Sequence, residues 1–290
     1  MREKRVGGFV NIVTMIRELG TGLLLRHGAR HYSRPMSRQV RIATYNICDG
    51  GHGREVEIRA ALRGLDADVL LLQEVSSAGA VNALAVDVGM QSAFVKANTK
   101  WNLAVLSRWP VVAVRGYRTL PLQQAILDAT IQVEDGPAVR VLTLNLCPLP
   151  SVLCEVWRWS ELRVLSRIVD ARDSTPTLVA GDFNATAPGD DGYQGVEGHR
   201  LVKAALLAQA NRVFTFAVRS FLALDWHDCF RELHPADLGF TVPAVSPKAR
   251  VDYIFANPSA RASLHSCVVS RDGRFLTASD HLPVVADFAF

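Results

Sequence analysis

From residue 39 onward the chain alternates between two hydrophobic periods. Residues 40–47 alternate apolar and polar and predict a strand. Residues 54–65 set Val56, Ile58, Ala61, Leu62 and Leu65 at helical spacing, which predicts an amphipathic helix. The unbroken run Val69-Leu70-Leu71-Leu72 within 68–73 predicts a strand buried on both faces. A second helix is expected over 78–88, followed by strands at 102–107, 111–120, 125–133 and 138–146, with turn signals such as Glu134-Asp135-Gly136-Pro137 between them. Residues 152–172 predict a long helix with Trp157, Leu162, Leu165, Ile168 and Val169 facing inward. A short strand at 177–180, a Gly- and Asp-rich loop at 187–198, a helix at 201–209, and strands at 251–256, 262–269 and 282–288 complete the pattern. Hairpin-like runs mixed with βαβ-like segments suggest two packed sheets with helices outside.

Composition narrows this only modestly. The chain has 290 residues, 49% of them hydrophobic and 21% charged, the balance of an ordinary globular protein with room for a sizeable core. A net charge of +4 tolerates an anionic substrate without demanding nucleic acid. The cysteines (Cys48, Cys147, Cys154, Cys229, Cys267) are odd in number and scattered. That argues against a disulfide framework or zinc site and for buried small hydrophobes in a reducing, cytoplasmic setting.

The first 38 residues differ in texture. Arg2, Lys4, Arg5, Arg17, Arg26, Arg30, Arg34 and Arg38 face only Glu3 and Glu18. The apolar stretch 9–25 is broken by Arg17 and Glu18, too early for a spanning helix. Phe9, Ile12, Ile16, Leu19 and Leu23 keep helical spacing. The segment therefore reads as a basic extension, disordered or forming a short amphipathic helix with weak membrane contact. A translation start at Met36 and an organelle-targeting peptide are the alternatives. Residues 39–290 read as one domain, expected to be monomeric.

The chemistry gathers at strand ends. Five predicted strands finish or begin in polar residues: Tyr45-Asn46, Gln73-Glu74, Gly181-Asp182-Phe183-Asn184, Val251-Asp252-Tyr253 and Ser279-Asp280-His281. A carboxylate next to an apolar run costs desolvation energy unless it is paired or bound to metal. Singly, each has a structural reading: Glu74 capping the next helix, or Asp252 pairing with Arg250. Four carboxylates, two amides and a histidine at strand mouths fit a hard-cation site such as one for Mg²⁺ or Mn²⁺.

Ala43-Thr44-Tyr45-Asn46-Ile47, Leu72-Gln73-Glu74-Val75, Gly181-Asp182-Phe183-Asn184, Arg250-Val251-Asp252-Tyr253-Ile254 and Ser279-Asp280-His281-Leu282-Pro283 together resemble the motif series of the endonuclease/exonuclease/phosphatase (DNase I-like) superfamily. Residues 102–108 and 228–241 add weaker matches. The resemblance implies an α/β fold, a four-layer αββα sandwich of two mostly antiparallel sheets, with the site at one rim. It implies a Mg²⁺-dependent phosphoesterase acting by direct attack of water on a nucleic acid, a phospholipid or a small phosphorylated molecule. A non-catalytic phosphate- or lipid-binding module on the same scaffold is the alternative. Carried over by position, Glu74, Asn46 and Asp280 would hold or orient the metal. Asp182 would orient or deprotonate the water, and Asn184 would contact phosphoryl oxygens. Asp252 would fix the tautomer of His281, which would donate to the phosphate or act as the general base in place of Asp182. Asn145 stands where many relatives carry a histidine; it can donate but cannot carry a proton. Cys48 replaces an acid found in abasic-site endonucleases. His52, in a Gly50-Gly51-His52-Gly53 loop, reads as a flexible turn that could touch substrate, and Arg108 as either a phosphate contact or a salt-bridge partner within the sandwich.

Overall fold

The computed structural model describes residues 39–190 and 200–290. The basic extension, with its membrane and targeting expectations, and most of the far half of the Gly-rich loop lie outside these. In chain order the strands are β1 (Gln39–Asn46), β2 (Val69–Val75), β3 (Gln91–Val95), β4 (Asn102–Ser107), β5 (Val111–Tyr117), β6 (Ile126–Gln132), β7 (Ala138–Asn145), β8 (Thr177–Asp182), β9 (His227–Asp228), β10 (Asp252–Ala256), β11 (Leu264–Val269) and β12 (Val284–Ala289). The helices are α1 (Glu55–Leu65), α2 (Ala78–Val88), α3 (Val152–Ile168), α4 (Arg200–Ala208), α5 (Phe216–Leu222), α6 (Cys229–Leu233), α7 (Pro258–Arg261) and α8 (Gly273–Ala278).

Two six-stranded sheets form, in the orders β11-β12-β1-β2-β4-β3 and β5-β6-β7-β8-β10-β9. Each is antiparallel except for one central parallel pair, β1/β2 and β7/β8. The pairs match in detail: each first strand ends in an asparagine, Asn46 or Asn145, beside a second strand that delivers an acid, Glu74 or Asp182. Both sites of chemistry thus emerge at the carboxyl ends of parallel strands, where successive backbones point the same way.

Period-two alternation sorts the strand residues into three apolar layers. Ile42, Leu71, Val105, Leu127, Val141 and Leu178 meet between the sheets. Tyr45, Leu70, Leu72 and Leu106 pack against Ile58, Leu62 and Val81 of α1 and α2 and Phe275 of α8. Leu142, Leu144 and Val179 pack against Leu162 and Leu165 of α3 and Phe221 of α5. This is the expected four-layer sandwich, and it explains the unbroken apolar runs: β2 and β8 are buried on both faces.

Helix ends follow local chemistry. Ser77 caps α2 by accepting the Ala80 N–H, and Gly89 ends it in the left-handed region. Glu74 is therefore not the cap of α2. Helix α3 departs from the expected pattern. It stops at Ile168, and Trp157 is 46% exposed while Glu155, Arg158 and Glu161 are buried. Spacing of three puts these charges on one inner stripe. Arg158 Nε donates to Glu155 Oε2 at 3.1 Å, Glu155 Oε1 accepts Ala217 N–H, and Glu161 accepts the N–H groups of Gln123 and Cys147. The stripe serves backbone groups that would otherwise be orphaned, so Trp157 faces outward and donates its indole N–H to Pro121 O at 2.8 Å.

Candidate active site

Strand register assembles the second sheet's share of the site. Asn145 of β7 lies opposite Asp182 of β8, and Asp182 lies opposite Asp252 of β10. Three polar side chains thus stand in one row across adjacent strand ends. The first sheet supplies Asn46 and Glu74 from β1 and β2, and His281 just before β12. Residues separated by more than two hundred positions meet because both parallel pairs open at the same rim.

Glu74 is aimed by a β-bulge. Register slips between Gln73 and Val75, and Glu74 takes φ 61°. A glutamate in the left-handed region costs about 1–2 kcal/mol, and bulges next to sites serve to redirect a side chain. Cys48, Asp49 and Asn184 also have positive φ, so strain gathers at this rim. Asn46 Nδ2 donates to Glu74 Oε1 at 3.1 Å and to Asp182 Oδ2 at 3.0 Å, bridging the two sheets. Asn145 Nδ2 reaches Glu74 Oε1 at 3.4 Å, and the Asp49 N–H donates to Oε2 at 2.8 Å. Asn184 Nδ2 donates to Asn145 Oδ1 and Leu146 O, both at 3.0 Å, so Asn184 holds Asn145 in place.

On the other side, His281 Nδ1 lies 2.9 Å from Asp252 Oδ2, and its Nε2 lies 3.9 Å from Asp182 Oδ2. The geometry makes Nδ1 the donor to a carboxylate, which can only accept. Burial disfavours the imidazolium, but Asp252 and Asp182 outweigh it and hold the His281 pKa well above its usual value. Burial, reinforced by Asp252, pushes Asp182 up to about 7 against the pull of His281. Asp182 and His281 thus compete for protons in a shared, nearly dry corner. Asp280 is exposed beside the Cys48 thiol. Burial and Asp280 raise that thiol to about 11, which keeps Cys48 protonated and unsuited to be a nucleophile.

The donor set fits a hard divalent cation. Asp182, Asp252 and His281 each offer a ligand atom within 4.8 Å of the others, and the Asn46 bridge adds Glu74 to the group. Among the described residues no Lys or Arg side chain pairs with Glu74, and Asp252 Oδ1 is buried without a partner. Three carboxylates against one imidazole leave negative charge that a cation with oxygen ligands would balance.

Other predicted residues fall where the topology puts them. Arg250 does not pair with Asp252. Its guanidinium binds Asp190 and Asp228, anchoring the start of the Gly-rich loop. Arg108 sits at the opposite end of β4 from the site, paired with Asp66 and Asp68. His52 lines a 170 Å³ cleft beside Glu74 with Asp49, Ser76, Lys100 and Trp101. Sequence reasoning missed Lys100 and Trp101, which both bond Asp49 Oδ1 at 2.8 and 3.0 Å. It also missed Thr241, whose Oγ1 accepts the Asp252 N–H and whose carbonyl holds the Leu282 N–H. Gln73 was missed too: it donates to Thr44 and Thr143 hydroxyls, tying the two sheets together beneath the rim. Gln73 and Thr241 fall within matched segments, but nothing local shows the roles of these residues, because their partners are distant in sequence.

This arrangement coincides with a match to the model of the endonuclease/exonuclease/phosphatase family over residues 43–281. The chain belongs to that family. It is 28% identical over 257 residues to the uncharacterized protein YbhP of Escherichia coli K12, covering 80% of this chain and 87% of YbhP. Its fold matches an AP endonuclease from Archaeoglobus fulgidus at TM-score 0.65 and 20% identity, covering 87% of this chain and all of that one. It also matches the 3′ phosphatase NExo from Neisseria, bound to a product DNA hairpin, at TM-score 0.67 and 21% identity, with the same coverage. These likenesses establish a DNase I-like sandwich in a family of nucleases and phosphatases.

Proposed function

We propose that the protein is a metal-dependent phosphoesterase in which water attacks the phosphorus directly. The observation that carries this reading is the Asn46 bridge between Glu74 and Asp182, set against the Asp252–His281 pair. Together they place carboxylates, amides and one buried imidazole around a single rim. A phosphate ester is anionic and repels a nucleophile, so the site must supply positive charge and an aimed base.

Glu74, with Asn46 bonded to it and Asp280 beside the neighbouring Cys48, would hold Mg²⁺ or Mn²⁺. When bound, the ion would neutralise phosphoryl charge and acidify water. The chain's own groups do the rest. Asp182, with Oδ1 held by the Asn184 N–H, orients the attacking water and accepts its proton. Asp252 holds His281 with Nε2 free to donate to the phosphoryl oxygens. Asn145, fixed by Asn184, turns its amide toward the same space. Asn145 thus takes up the donor part of the role that a histidine fills in many relatives, and it leaves proton transfer to Asp182 and His281. The Lys100 side of the 170 Å³ cleft offers an anionic substrate its first positive contact.

Calorimetric titration with Mg²⁺ tests the metal assignment. The reading expects one site that Glu74→Ala abolishes, and ligand binding that persists without any Mg²⁺ heat would favour the non-catalytic module instead. A panel of plasmid DNA, abasic DNA, a 3′-phosphorylated oligonucleotide and inositol phosphates would rank the soluble substrates.

A further inference from the structure

The rim beside the active site carries apolar side chains that the fold does not use. Leu153 is 79% exposed and Val156 and Trp157 about half, on the outer face of the first turns of α3. Leu120, in the loop between β5 and β6, is 86% exposed. The two segments are joined by the Trp157 indole bond to Pro121 O. On the other flank Gln209 accepts Val152 N–H and donates to Pro150 O. That bond fastens the end of α4 to α3 and brings up Leu207, 61% exposed. The two sets of bonds thus bring the exposed apolar side chains of three neighbouring segments to one flank, which together make a ridge.

The ridge stands at the mouth. Ile126, which follows the Leu120 loop, pairs with Leu144 next to Asn145, and α3 begins shortly after Asn145. An exposed apolar ridge beside a catalytic rim marks an interaction surface.

The segments that carry the ridge are basic. Between Asp87 and Asp128 the chain has no acid, and of its five basic residues Arg108 lies at the far end, paired with Asp66 and Asp68. Lys96, Lys100 and Arg118 are exposed in the mouth-side loops, Lys100 also bonding Asp49. Residues 200–224 likewise contain Arg200, Lys203, Arg212 and Arg219 and no acid. The acids in the first half of α3, Glu155 and Glu161, are both turned inward.

We propose that this ridge docks the protein on an anionic phospholipid bilayer, with the active-site mouth facing the headgroups. Protruding leucines with a basic surround match a surface whose interior is hydrocarbon and whose face is negative. Single-stranded nucleic acid is held instead by stacking on aromatic faces. Here the exposed positions are mostly aliphatic, Leu120, Leu153, Val156 and Leu207, with Trp157 the one aromatic among them. The docking rests on the phosphoesterase reading only for its consequence, that esters carried at a membrane surface become the favoured substrates.

The test is co-sedimentation of the full-length protein with vesicles of phosphatidylcholine plus phosphatidylglycerol, and of phosphatidylcholine alone. The comparison protein carries Leu120→Ser with Leu153→Ser. Both positions are exposed and outside the catalytic groups, and hydrolysis of soluble bis-p-nitrophenyl phosphate by both proteins reads folding and the phosphoesterase claim separately. The proposal expects binding to the anionic vesicles that the double variant weakens by about tenfold or more. Equal binding by both proteins would place the contact elsewhere, residues 1–38 included, and overturn it. No binding by the wild type, or a loss seen on DNA rather than on vesicles, would overturn it as well. Vesicle binding that depends on the leucines in a protein inactive on the diester would leave the docking standing and the phosphoesterase reading fallen.

Discussion

Replacing Asp252 by Asn removes one charge from the buried corner while keeping its shape. Asp252 Oδ2 accepts from His281 Nδ1 at 2.9 Å, and its Oδ1 has no partner. The Asn oxygen still accepts that bond, and its amide takes the vacant side. The electrostatic consequences are larger. Two unit charges about 4 Å apart interact by about 4 kcal/mol at a surface-like effective dielectric, so the imidazolium loses its principal support and the His281 pKa falls. Asp182, opposite Asp252 in register, loses a repulsive neighbour, which offsets part of the cost. The net stability change is therefore about 1 kcal/mol in either direction, a shift of about 2–4 °C in Tm for a domain this size. Turnover falls by about 10²–10⁴-fold, the usual worth of general acid–base help. The assay is kcat on a soluble phosphodiester, with thermal denaturation and an NMR titration of the His281 ring. Turnover within about threefold of wild type, less than 1 kcal/mol of barrier, with an unchanged His281 titration would refute the pairing. A loss of activity that merely tracked a collapse in Tm would refute its catalytic meaning.

Other outcomes follow from the same geometry. Asp182 is pushed up to about 7; as the proposed proton acceptor it must be deprotonated, so kcat/KM should rise with pH toward neutrality and then level. A flat profile across the acid side would contradict this. The same shift has a stability sign: a carboxyl whose folded pKa lies above its unfolded value stabilises at low pH and loses that contribution as pH rises from about 4 toward 7. Asp182→Asn should therefore flatten the neutral-side decline in Tm. Gly181→Ala would place a Cβ 2.1 Å from Leu144 O at φ 146° and should destabilise by about 3 kcal/mol or more, read as lost soluble expression or a sharply lower Tm. Gln73→Leu removes the amide that bonds Thr44 in its own sheet and Thr143 in the other, and should cost about 1–3 kcal/mol in chemical denaturation. Trp157→Ala, at a half-exposed site, should cost no more than about 1 kcal/mol.

Much of this was legible because the strands are double-sided. Runs such as Val69–Leu72 and the polar pairs ending them, Asn46, Glu74 and Asp182, announce buried strands with chemistry at their mouths. What was not legible depends on long-range partners. Trp157 reads as core by its type and spacing, yet the inner stripe of α3 belongs to Glu155, Arg158 and Glu161, because three backbone N–H groups from other segments need acceptors there. Strand β3 escaped notice as a short edge strand with exposed Gln91. Arg250 seemed a local partner for Asp252, but it lies just ahead of β10 and is taken up by Asp190 and Asp228, while Asp252 pairs with His281. Thr241 and Gln73 lie within matched segments, but their roles exist only once the sheets have packed.

The central claim is that Glu74 and the corner it shares with Asp182 and His281 hydrolyse phosphate esters with a divalent metal. The most direct measurement is release of p-nitrophenol from bis-p-nitrophenyl phosphate by the full-length protein, with Mg²⁺ and with chelator, beside the Glu74→Ala protein. The account predicts hydrolysis that requires the metal and disappears in Glu74→Ala. Turnover that survives chelation, or that Glu74→Ala retains, would contradict it.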